Sequence, residues 1–494
     1  MRLDEQCQGL ECDQIACPPD GETTSLTGTV QIPSGEFDIP NVSVYIPNGD
    51  LEDLPEETAC MQCEDMLSGD PLVQDVTDVD GNFTLPNVPV ADEVPLVMQS
   101  GKWRRKVEIS GVEPCTTNEI TGQDDQELTR LPRNQSEGNI PKIAVTTGGW
   151  DDLECLTYNL GLDDEEFTRP EGDGKVNFFT ASGGSTNYAS DFNNGEYFPP
   201  ADEWWHDLDN LLEYDIIMHS CEGTQNTQDK SDAAYEAFRD FAHEGGRAFL
   251  SHWENEWLEH APEDLSQVTT WGGTSATSMA EVNTSFEGGQ NMYDWMHNYN
   301  ALDANDQFNV NEARFTIGNL DEELTELWLH YADAAQTPLY FAFNTPVEAD
   351  EEDQCGRIVF SDLHVSSGSG ANFPSLCNTD LSSQEKALVY MFFDLTACLA
   401  PECEPLTCED VENNCGFHPD ECGGTLDCGE CCVPKHGSCD NDDDCCEGLW
   451  CDADTGECTD ECRSVGETCT DSEQCCSGDC AMESGQDIGS CSTG

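Results

Sequence analysis

The cysteines constrain this chain more than any other feature. Eighteen of its 29 cysteines lie between Cys403 and Cys491, and a stretch this short cannot bury enough apolar surface to fold without covalent links. Zinc ribbons need separated CxxC pairs, whereas the adjacent Cys445 and Cys446 suit two different bridges. Disulfides at this density persist only in an oxidising compartment. The spacing therefore predicts an exported protein with a stapled C-terminal region.

The C-terminal cysteines divide into three modules of six. We expect residues 403–431 to be cross-linked by disulfides, without assigning their pairing. Residues 432–458 and 462–491 share the spacing C-x6-C-x5-C-C. That spacing resembles the inhibitor cystine knot family, although six cysteines alone permit fifteen pairings. The resemblance implies the bridges Cys432–Cys446, Cys439–Cys451, Cys445–Cys458, Cys462–Cys476, Cys469–Cys480 and Cys475–Cys491.

The charge balance excludes one class of partner. Lys and Arg number 18 against 101 Asp and Glu, which gives a net charge of -83, so nucleic acid is not expected to bind. The 20 Phe and 10 Trp lie within apolar runs, so most of the chain should fold. Adaptation to salty water explains the charge better than calcium-binding carboxylate clusters do, because the acids are spread through every region.

Two observations concern export. No stretch approaches the roughly 18 consecutive apolar residues of a membrane-spanning helix. The first residues, MRLDEQCQGL, lack the apolar core of a signal peptide, so we expect that an export signal has been removed and that the protein is extracellular or attached to the cell surface. The pairing of Cys7, Cys12 and Cys17 in segment 1–23 stays open. Because 29 is odd, at least one cysteine is free or bonded to another chain.

Residues 24–133 predict an all-β sandwich. Short alternating runs such as SLTGTVQI, NVSVYIP and RKVEIS are separated by Gly, Pro, Asn and Asp turns. The passage VTDVDGNFTLPNVPV resembles the carboxypeptidase regulatory-like domain, an accessory module of secreted proteins. The resemblance implies a tight hairpin at Asp78, Asp80 and Gly81, with Phe83 in the core, and a role in scaffolding.

A basic cluster interrupts this acidic sandwich at residues 102–106. The favoured interpretation is that these cations pair with acids of the neighbouring domain and orient it. The alternative is a polyanion site in which an indole stacks on a sugar or base. The residues concerned are Lys102, Trp103, Arg104, Arg105 and Lys106.

Residues 138–398 show the alternating strand and helix patterns of an α/β domain. Strand candidates KIAVT, VNFFT, YDIIMHS and RAFLS alternate with helical segments DDLECLTYNL, EWWHDLDNLL and SDAAYEAFRDFAHE, which predicts a largely parallel sheet. Ser231 is a plausible helix cap with Gly245 as a stop residue, and Ser382 with Glu385 forms a capping box before the last helix. The sequence therefore predicts a multidomain protein: an all-β sandwich, an α/β (flavodoxin-like) domain and small disulfide-rich C-terminal modules.

The order YDIIMHS, GGRAFLSHWENEW, PLYFAF and CGRIVFSDLHVS resembles the ThuA-like fold, a trehalose-utilisation family related to class I glutamine amidotransferases. The resemblance implies that two histidines, here His252 and His364, meet at one sheet edge. It also points towards saccharides. Residues 261–335 match poorly.

Ligands of a doubly wound sheet bind at the carboxyl ends of its strands. Four such ends here carry polar or small residues, and we expect them to converge. They are Thr147, Gly148 and Gly149; His219, Ser220, Cys221 and Glu222; Ser251, His252, Trp253, Glu254 and Glu256; and Asp362 with His364. Of the nearby tryptophans, at least three should be buried, and the rest could form a floor for sugar rings: Trp204, Trp205, Trp253, Trp257 and Trp271.

Three interpretations compete at this edge. A Cys221 nucleophile fails because the amidotransferase nucleophile occupies the turn of Ser251 and His252; a Cys155–Cys221 disulfide is preferred. A divalent metal, zinc or calcium, could bind His252 and His364 with Asp362 and Glu254. The alternative is that both histidines only bond loop backbone and close the edge of the sheet.

These observations favour a secreted or cell-surface binding protein, directed at polysaccharide or a cell-surface glycan. The α/β domain is then largely non-catalytic, and the stapled modules are spacers or further binding modules. The first alternative is a metal-assisted enzyme acting on saccharides through His252 and His364. The second is a protease inhibitor, which the C-terminal cysteine modules indicate when taken alone.

Overall fold

The computed structural model describes residues 7–18, 22–63, 67–120, 127–365, 372–377 and 380–399, with short pieces after residue 405. The chain forms two compact units. The first comprises Met1–Pro405 with Pro419–Thr425, and the second comprises Leu406–His418 with Leu426–Gly494. The first unit contains both the sandwich and the α/β domain.

The N-terminal part of the first unit has two facing sheets. One has the strand order β4-β1-β7 and the other β3-β2-β5-β6, and residues from both sheets, such as Leu26 and Val44, are buried in a shared core. The strands are β1 (Ser25–Thr29), β2 (Ser43–Pro47), β3 (Pro71–Val76), β4 (Asn82–Leu85), β5 (Glu93–Ser100), β6 (Trp103–Ser110) and β7 (Thr117–Glu119).

The turn before β4 has the geometry expected from its residues. The Asp78 carboxylate accepts hydrogen bonds from the backbone N–H groups of Asp80 and Asn82 at 3.0 and 2.8 Å. Gly81 has a φ of +74°, which glycine adopts without strain. Phe83 follows and is 2% exposed. The tight turn therefore delivers the phenyl ring into the core of the sandwich.

The α/β domain is built on a ten-stranded sheet with the order β15-β14-β17-β18-β19-β12-β11-β8-β10-β9. The strands from β9 to β19 in this order are parallel. Without the two-residue edge strand β9, their order is 2-1-3-4-5, the flavodoxin-like order. The strands of the domain are β8 (Ile143–Thr147), β9 (Phe167–Thr168), β10 (Val176–Thr180), β11 (Ile216–His219), β12 (Arg247–Ser251), β13 (Thr269–Trp271), β14 (Met279–Val282), β15 (Phe308–Asn309), β16 (Ile317–Leu320), β17 (Glu326–Tyr331), β18 (Pro338–Thr345) and β19 (Gly356–Ser361).

The helices are short apart from three, and their ends follow the sequence signals. Ser231 accepts a hydrogen bond from the N–H of Ala234 and begins α3, and Ser382 and Glu385 form the capping box of α7. The helix expected in EWWHDLDNLL is shorter, because Asp207 caps it only at Leu208. The α-helices are α1 (Leu153–Asn159), α2 (Leu208–Leu212), α3 (Asp232–His243), α4 (Glu256–Glu259), α5 (Glu263–Ser266), α6 (Glu287–Asn298) and α7 (Ser383–Thr396). The 3-10 turns are Gly9–Asp13, Asp164–Glu166, Asn193–Gly195, Ala201–Glu203, Thr227–Asp229, His252–Asn255 and Glu351–Asp353.

Segment 261–335 changes the expected sheet. It supplies β14, β15 and β17, which extend one side of the sheet as antiparallel strands through β18. The prediction of a largely parallel sheet therefore holds for one half of it. The carboxyl ends of β8, β11, β12 and β19 lie side by side in the parallel half.

The sandwich is tied to the α/β domain by covalent bonds and by buried charge. Disulfides Cys60–Cys355 and Cys63–Cys398 attach the connection between β2 and β3 to the α/β domain. N-terminal disulfides are Cys7–Cys12 and Cys17–Cys115.

The basic cluster takes part in this attachment. Lys102 donates to the carboxylate of Asp215 and to the backbone carbonyl of Glu57, at 2.6 Å for the latter. Trp103 is fully buried and its ring centroid lies 6.1 Å from that of Phe393. A polyanion site with Trp103 stacked on a ligand is therefore wrong, because the core already covers the indole.

The second unit is described only in part. Disulfide Cys408–Cys428 is present, and the backbone register places Cys451 opposite Cys458 and Cys480 opposite Cys491. The six cystine-knot pairings predicted above fall on side chains outside the described residues. The strands are Phe417–Pro419, Thr425–Asp427, Trp450–Asp452, Glu457–Thr459, Thr468–Cys469, Cys480–Ala481 and Gly489–Cys491. Within the described part of the chain, no helix has the length and apolar character needed to cross a membrane.

Candidate functional site

Three potential metal ligands converge at the carboxyl edge of the parallel sheet. Cys221 follows β11, His252 follows β12 and His364 follows β19, which are three adjacent strands. Their ligand atoms all lie within 4.8 Å of one another. The Sγ atom of Cys221 lies 3.3 Å from Nδ1 of His252, and the rings of His252 and His364 meet edge to face with centroids 5.1 Å apart. We call these three residues the Cys-His-His cluster.

Among the described residues, the ring of His364 is not held by loop backbone in the way the alternative interpretation requires. Neither ring nitrogen of His364 has a hydrogen-bond partner among the described residues, although the residue is only 3% exposed. His252 is 2% exposed and adopts a left-handed backbone with a φ of +46°, a conformation found more often at functional sites than elsewhere. Buried polar atoms without partners are costly, so this arrangement calls for an explanation.

Burial shifts the proton affinities of the Cys-His-His cluster towards the neutral forms. It raises the pKa of the Cys221 thiol to about 12. It lowers the pKa of His252 to about 3, with further contributions from His364 and Arg314, and the pKa of His364 to about 4, with a contribution from Arg314. Both imidazoles are therefore neutral at ordinary pH, the form in which histidine binds metals.

Asp151, just after β8, holds two of the strand ends together. Its carboxylate accepts a hydrogen bond from the Ser251 hydroxyl and another, at 2.7 Å, from the backbone N–H of Val365. These donors are the chain neighbours of His252 and His364. Burial raises the pKa of Asp151 to about 8. Asp151 thus fixes the spacing of the two loops that present the imidazoles.

The carboxylates predicted as metal ligands are engaged elsewhere. Asp362 accepts hydrogen bonds from the backbone N–H and the hydroxyl of Thr316. Glu254 accepts from the indole N–H of Trp257 at 3.0 Å and lies 3.5 Å from Lys230. Neither belongs to the Cys-His-His cluster, whose third donor is a sulfur atom in place of the predicted carboxylates.

A buried ion network lies beside the Cys-His-His cluster. Lys230 Nζ lies 2.7 Å from Glu222 and packs over the rings of Trp205 and Trp257, at 5.1 and 5.7 Å from their centroids. The other carboxylate oxygen of Glu222 accepts from the backbone N–H of Ser182 at 2.7 Å. Glu222 and Glu254, predicted as ligand-binding residues, here organise the loops of the edge.

The predicted Cys155–Cys221 disulfide is wrong. Cys155 on α1 bonds to Cys377, and Cys221 is a buried free thiol. The physical reason is direction: α1 presents Cys155 to the 372–377 segment that packs beside it, whereas the Cys221 sulfur points towards His252. The odd cysteine count requires at least one cysteine without a partner in this chain, and Cys221 is such a cysteine among the described residues.

The remaining predicted residues have mainly structural contacts. Thr147 donates to the carbonyl of Ser185 and His219 bonds Thr146, while Ser220 is fully buried with a hydroxyl that has no partner among the described residues. Glu256 accepts from Tyr235. A Cβ at Gly148 would lie 2.4 Å from the carbonyl oxygen of Cys221, so only glycine permits this approach of β8 to β11.

Of the five tryptophans considered for a sugar floor, Trp204, Trp205 and Trp257 are buried, as expected. Trp253 and Trp271 are half-buried. The exposed indole at this edge is one that the sequence analysis did not select: Trp150 is 55% exposed. Its position directly after Gly148 and Gly149 was the available signal.

Glu154 was also missed. This carboxyl group in the first turn of α1 is fully buried, and neither oxygen has a hydrogen-bond partner among the described residues. Burial, followed by the charges of Asp152 and Asp151, raises its pKa well above the usual range. Sequence offered no signal, because a glutamate at a helix start is ordinarily exposed.

Comparison with protein-family models and with curated proteins finds no match to this chain. Among solved structures, a ThuA-like protein from Bacteroides uniformis is similar over 51% of this chain and 88% of its own, with 11% identity and a TM-score of 0.30. A type II cohesin–X-dockerin complex from Acetivibrio cellulolyticus is similar over 30% of this chain and 75% of its own, with 12% identity and a TM-score of 0.15. BcpA, the major pilin subunit of Bacillus cereus, is similar over 22% and 30%, with 12% identity and a TM-score of 0.14.

Proposed function

We propose that this protein is an exported binding protein whose α/β domain takes carbohydrate at the carboxyl edge of its parallel sheet. The observation that carries the proposal is Trp150, an indole exposed at 55% just after β8. Disulfides that tie distant segments, such as Cys63–Cys398, support an oxidising location. The resemblance to the ThuA-like family suggests saccharides as the ligand class.

Trp150 has the setting of a sugar platform. Its backbone N–H donates to the carbonyl of Cys221 at 3.0 Å, which fixes the loop. A Cβ on Gly223 would lie 2.1 Å from the indole, so a residue without a side chain is needed there for the ring to approach the loop after β11. Aromatic faces offer apolar surface with a polar edge, and they suit the C–H faces of sugar rings. The ends of β8 and β11 on either side of it form the switch point of the strand order, where ligands bind such sheets.

The test is saccharide binding by the full chain in molar salt. A glycan panel identifies the ligand, and titration then compares the wild type with Trp150→Ala and with Trp150→Phe, which keeps a ring. We expect Trp150→Ala to lose about 1–3 kcal/mol of binding, the range for a nucleic-acid base stacked on an aromatic side chain, and Trp150→Phe to keep most of the affinity. Equal affinity in all three proteins, or no glycan bound by the wild type, contradicts the proposal.

A second candidate is a metal-assisted enzyme acting on saccharides. The specific observation in its favour is the Cys-His-His cluster at the same edge of the sheet. Three protein ligands leave a metal position open for water or substrate, as in catalytic zinc sites. Turnover of a bound glycan that disappears in His364→Ala establishes this function. Binding without turnover in the wild type contradicts it.

A further inference from the structure

We propose that Cys221, His252 and His364 form a binding site for a borderline transition-metal cation, with Zn²⁺ as the expected ion. The donor set is one sulfur and two imidazole nitrogens, all within 4.8 Å of one another. Zinc binds these donors at about 2.0–2.3 Å, so a central ion can reach all three after small side-chain movements. Calcium and magnesium prefer oxygen donors and fit poorly.

Secondary structure holds the three donors of the Cys-His-His cluster in place. Each donor lies at the end of a different strand of the parallel sheet, which limits the backbone movement that could bring them together or apart. Asp151 joins the loops of His252 and His364 through its hydrogen bonds with Ser251 and Val365. These hydrogen bonds fix the two loops that carry His252 and His364.

The burial of His364 is the independent observation that points to a ligand. The residue is 3% exposed, and both its ring nitrogens lack a hydrogen-bond partner among the described residues. Leaving a buried polar group unpaired destabilises the fold. A bound cation removes that cost at one nitrogen, whereas packing alone leaves it in place.

Other roles for the three side chains are less consistent with the contacts. Cys221 is free, so it is not spent in a disulfide. Nδ1 of His252 lies 3.3 Å from the Cys221 sulfur, which is a separation that two ligands of the same metal ion can have. The acidic surface also attracts cations: with a net charge of -83 it holds any cation weakly and with no defined coordination geometry. The test must therefore separate coordination from general attraction.

The test uses Co²⁺ as a spectroscopic probe for zinc. A chelator first removes metal from the full, unreduced chain. The protein is then titrated with Co²⁺ in molar NaCl that contains excess Ca²⁺ and Mg²⁺, and each addition is left until the signal is constant, because the site is buried. Salt and the competing ions saturate the acidic surface. We expect one equivalent of Co²⁺ to give a thiolate-to-cobalt charge-transfer band and strong tetrahedral d–d bands, both abolished by one equivalent of Zn²⁺.

The variants are Cys221→Ser, His364→Ala and, as matched control, His297→Ala, which removes an exposed histidine from α6. Cys221→Ser should lose the charge-transfer band, and His364→Ala should no longer bind one equivalent of Co²⁺. His297→Ala should behave as the wild type. A wild-type protein that gives no charge-transfer band overturns the proposal even if a variant fails to fold. So does a band that persists in Cys221→Ser. Since no saccharide is present, this result is independent of the proposed carbohydrate binding.

Discussion

Replacing Lys230 by Met tests whether the buried ion network organises the carboxyl edge of the sheet. Lys230 is the cation of that network: its side chain is fully buried, and Glu222 and Glu254 lie 2.7 and 3.5 Å from Nζ with side chains 2% and 1% exposed. Met keeps the length and apolar stem that pack on Trp205 and Trp257. The substitution therefore removes the charge while leaving most of the packing in place.

The expected loss follows from burial. Removing one partner of a buried ion pair costs about 3–5 kcal/mol, because the other charge is left without compensation. Glu222 is the carboxylate left without compensation, because burial already raises the pKa of Glu254 to about 8, so we expect a loss within that range. Lys142 is the matched control: it also pairs with a glutamate, Glu213 at 3.1 Å, and lies over an aromatic ring, but its partner is 57% exposed. Lys142→Met should cost less than about 1 kcal/mol.

The assay is denaturant unfolding of the full chain in molar salt, followed by tryptophan fluorescence. Trp205 and Trp257 contact Lys230 directly, so their emission reports on the region that is perturbed. Equal losses of unfolding free energy in Lys230→Met and Lys142→Met would refute the reasoning, because burial would then make no difference to the ion pair.

Three further predictions concern the bonds, the pH dependence and the surface. A peptide map of the unreduced protein should contain a Cys155–Cys377 cross-link and an unmodified Cys221 that reacts with iodoacetamide only after denaturation; a Cys155–Cys221 peptide would contradict the structure. Burial alone would raise the pKa of Glu137, but hydrogen bonds from Arg130 and the backbone lower it to about 2. The ionised Glu137 therefore stabilises the folded protein above its unfolded-state pKa, and this stabilisation is lost as the pH falls towards 2. Glu137→Gln should flatten this part of the plot of melting temperature against pH. Dialysis to low salt should lower the melting temperature, since a net charge of -83 repels itself, and recovery on adding millimolar calcium alone would contradict salt adaptation.

The parallel half of the sheet could be predicted because each of its parts carries a local signal. Runs such as VNFFT and RAFL are uniformly apolar, as strands buried on both faces must be. Ser231 and Ser382 mark helix starts through hydrogen bonds to residues three positions away. The alternation of strands and helices then predicts which strands are adjacent. For this reason the convergence of residues 221, 252 and 364 could be predicted from the sequence.

The antiparallel extension could not be predicted in the same way. Strands β14 and β15 have four and two residues, too few for an alternating pattern to stand out. Their placement depends on the pairing of β14 with β17 and of β17 with β18. Such contacts are set by tertiary packing, and single-sequence patterns do not report them.

Side-chain direction explains the errors at the site. Cys155 and Cys221 follow neighbouring strands, yet their sulfur atoms face different surroundings, and the partner of Cys155 lies 222 residues away. Trp103 lies among four basic residues, which suggested exposure, but the strand alternation buries its ring. In both cases the sequence indicates where the backbone goes, and only the packing decides where the side chain points.

The most direct test of the central claim, that three strand ends meet in one metal-binding centre, is zinc-edge X-ray absorption on the full chain loaded with one equivalent of Zn²⁺ in molar salt. The structure predicts one sulfur neighbour at about 2.3 Å and two imidazole nitrogens at about 2.0–2.1 Å. Cys221→Ser should replace the sulfur shell by oxygen or nitrogen. A wild-type spectrum with oxygen neighbours alone would contradict the account, because the ion would then lie on the acidic surface and not at the sheet edge.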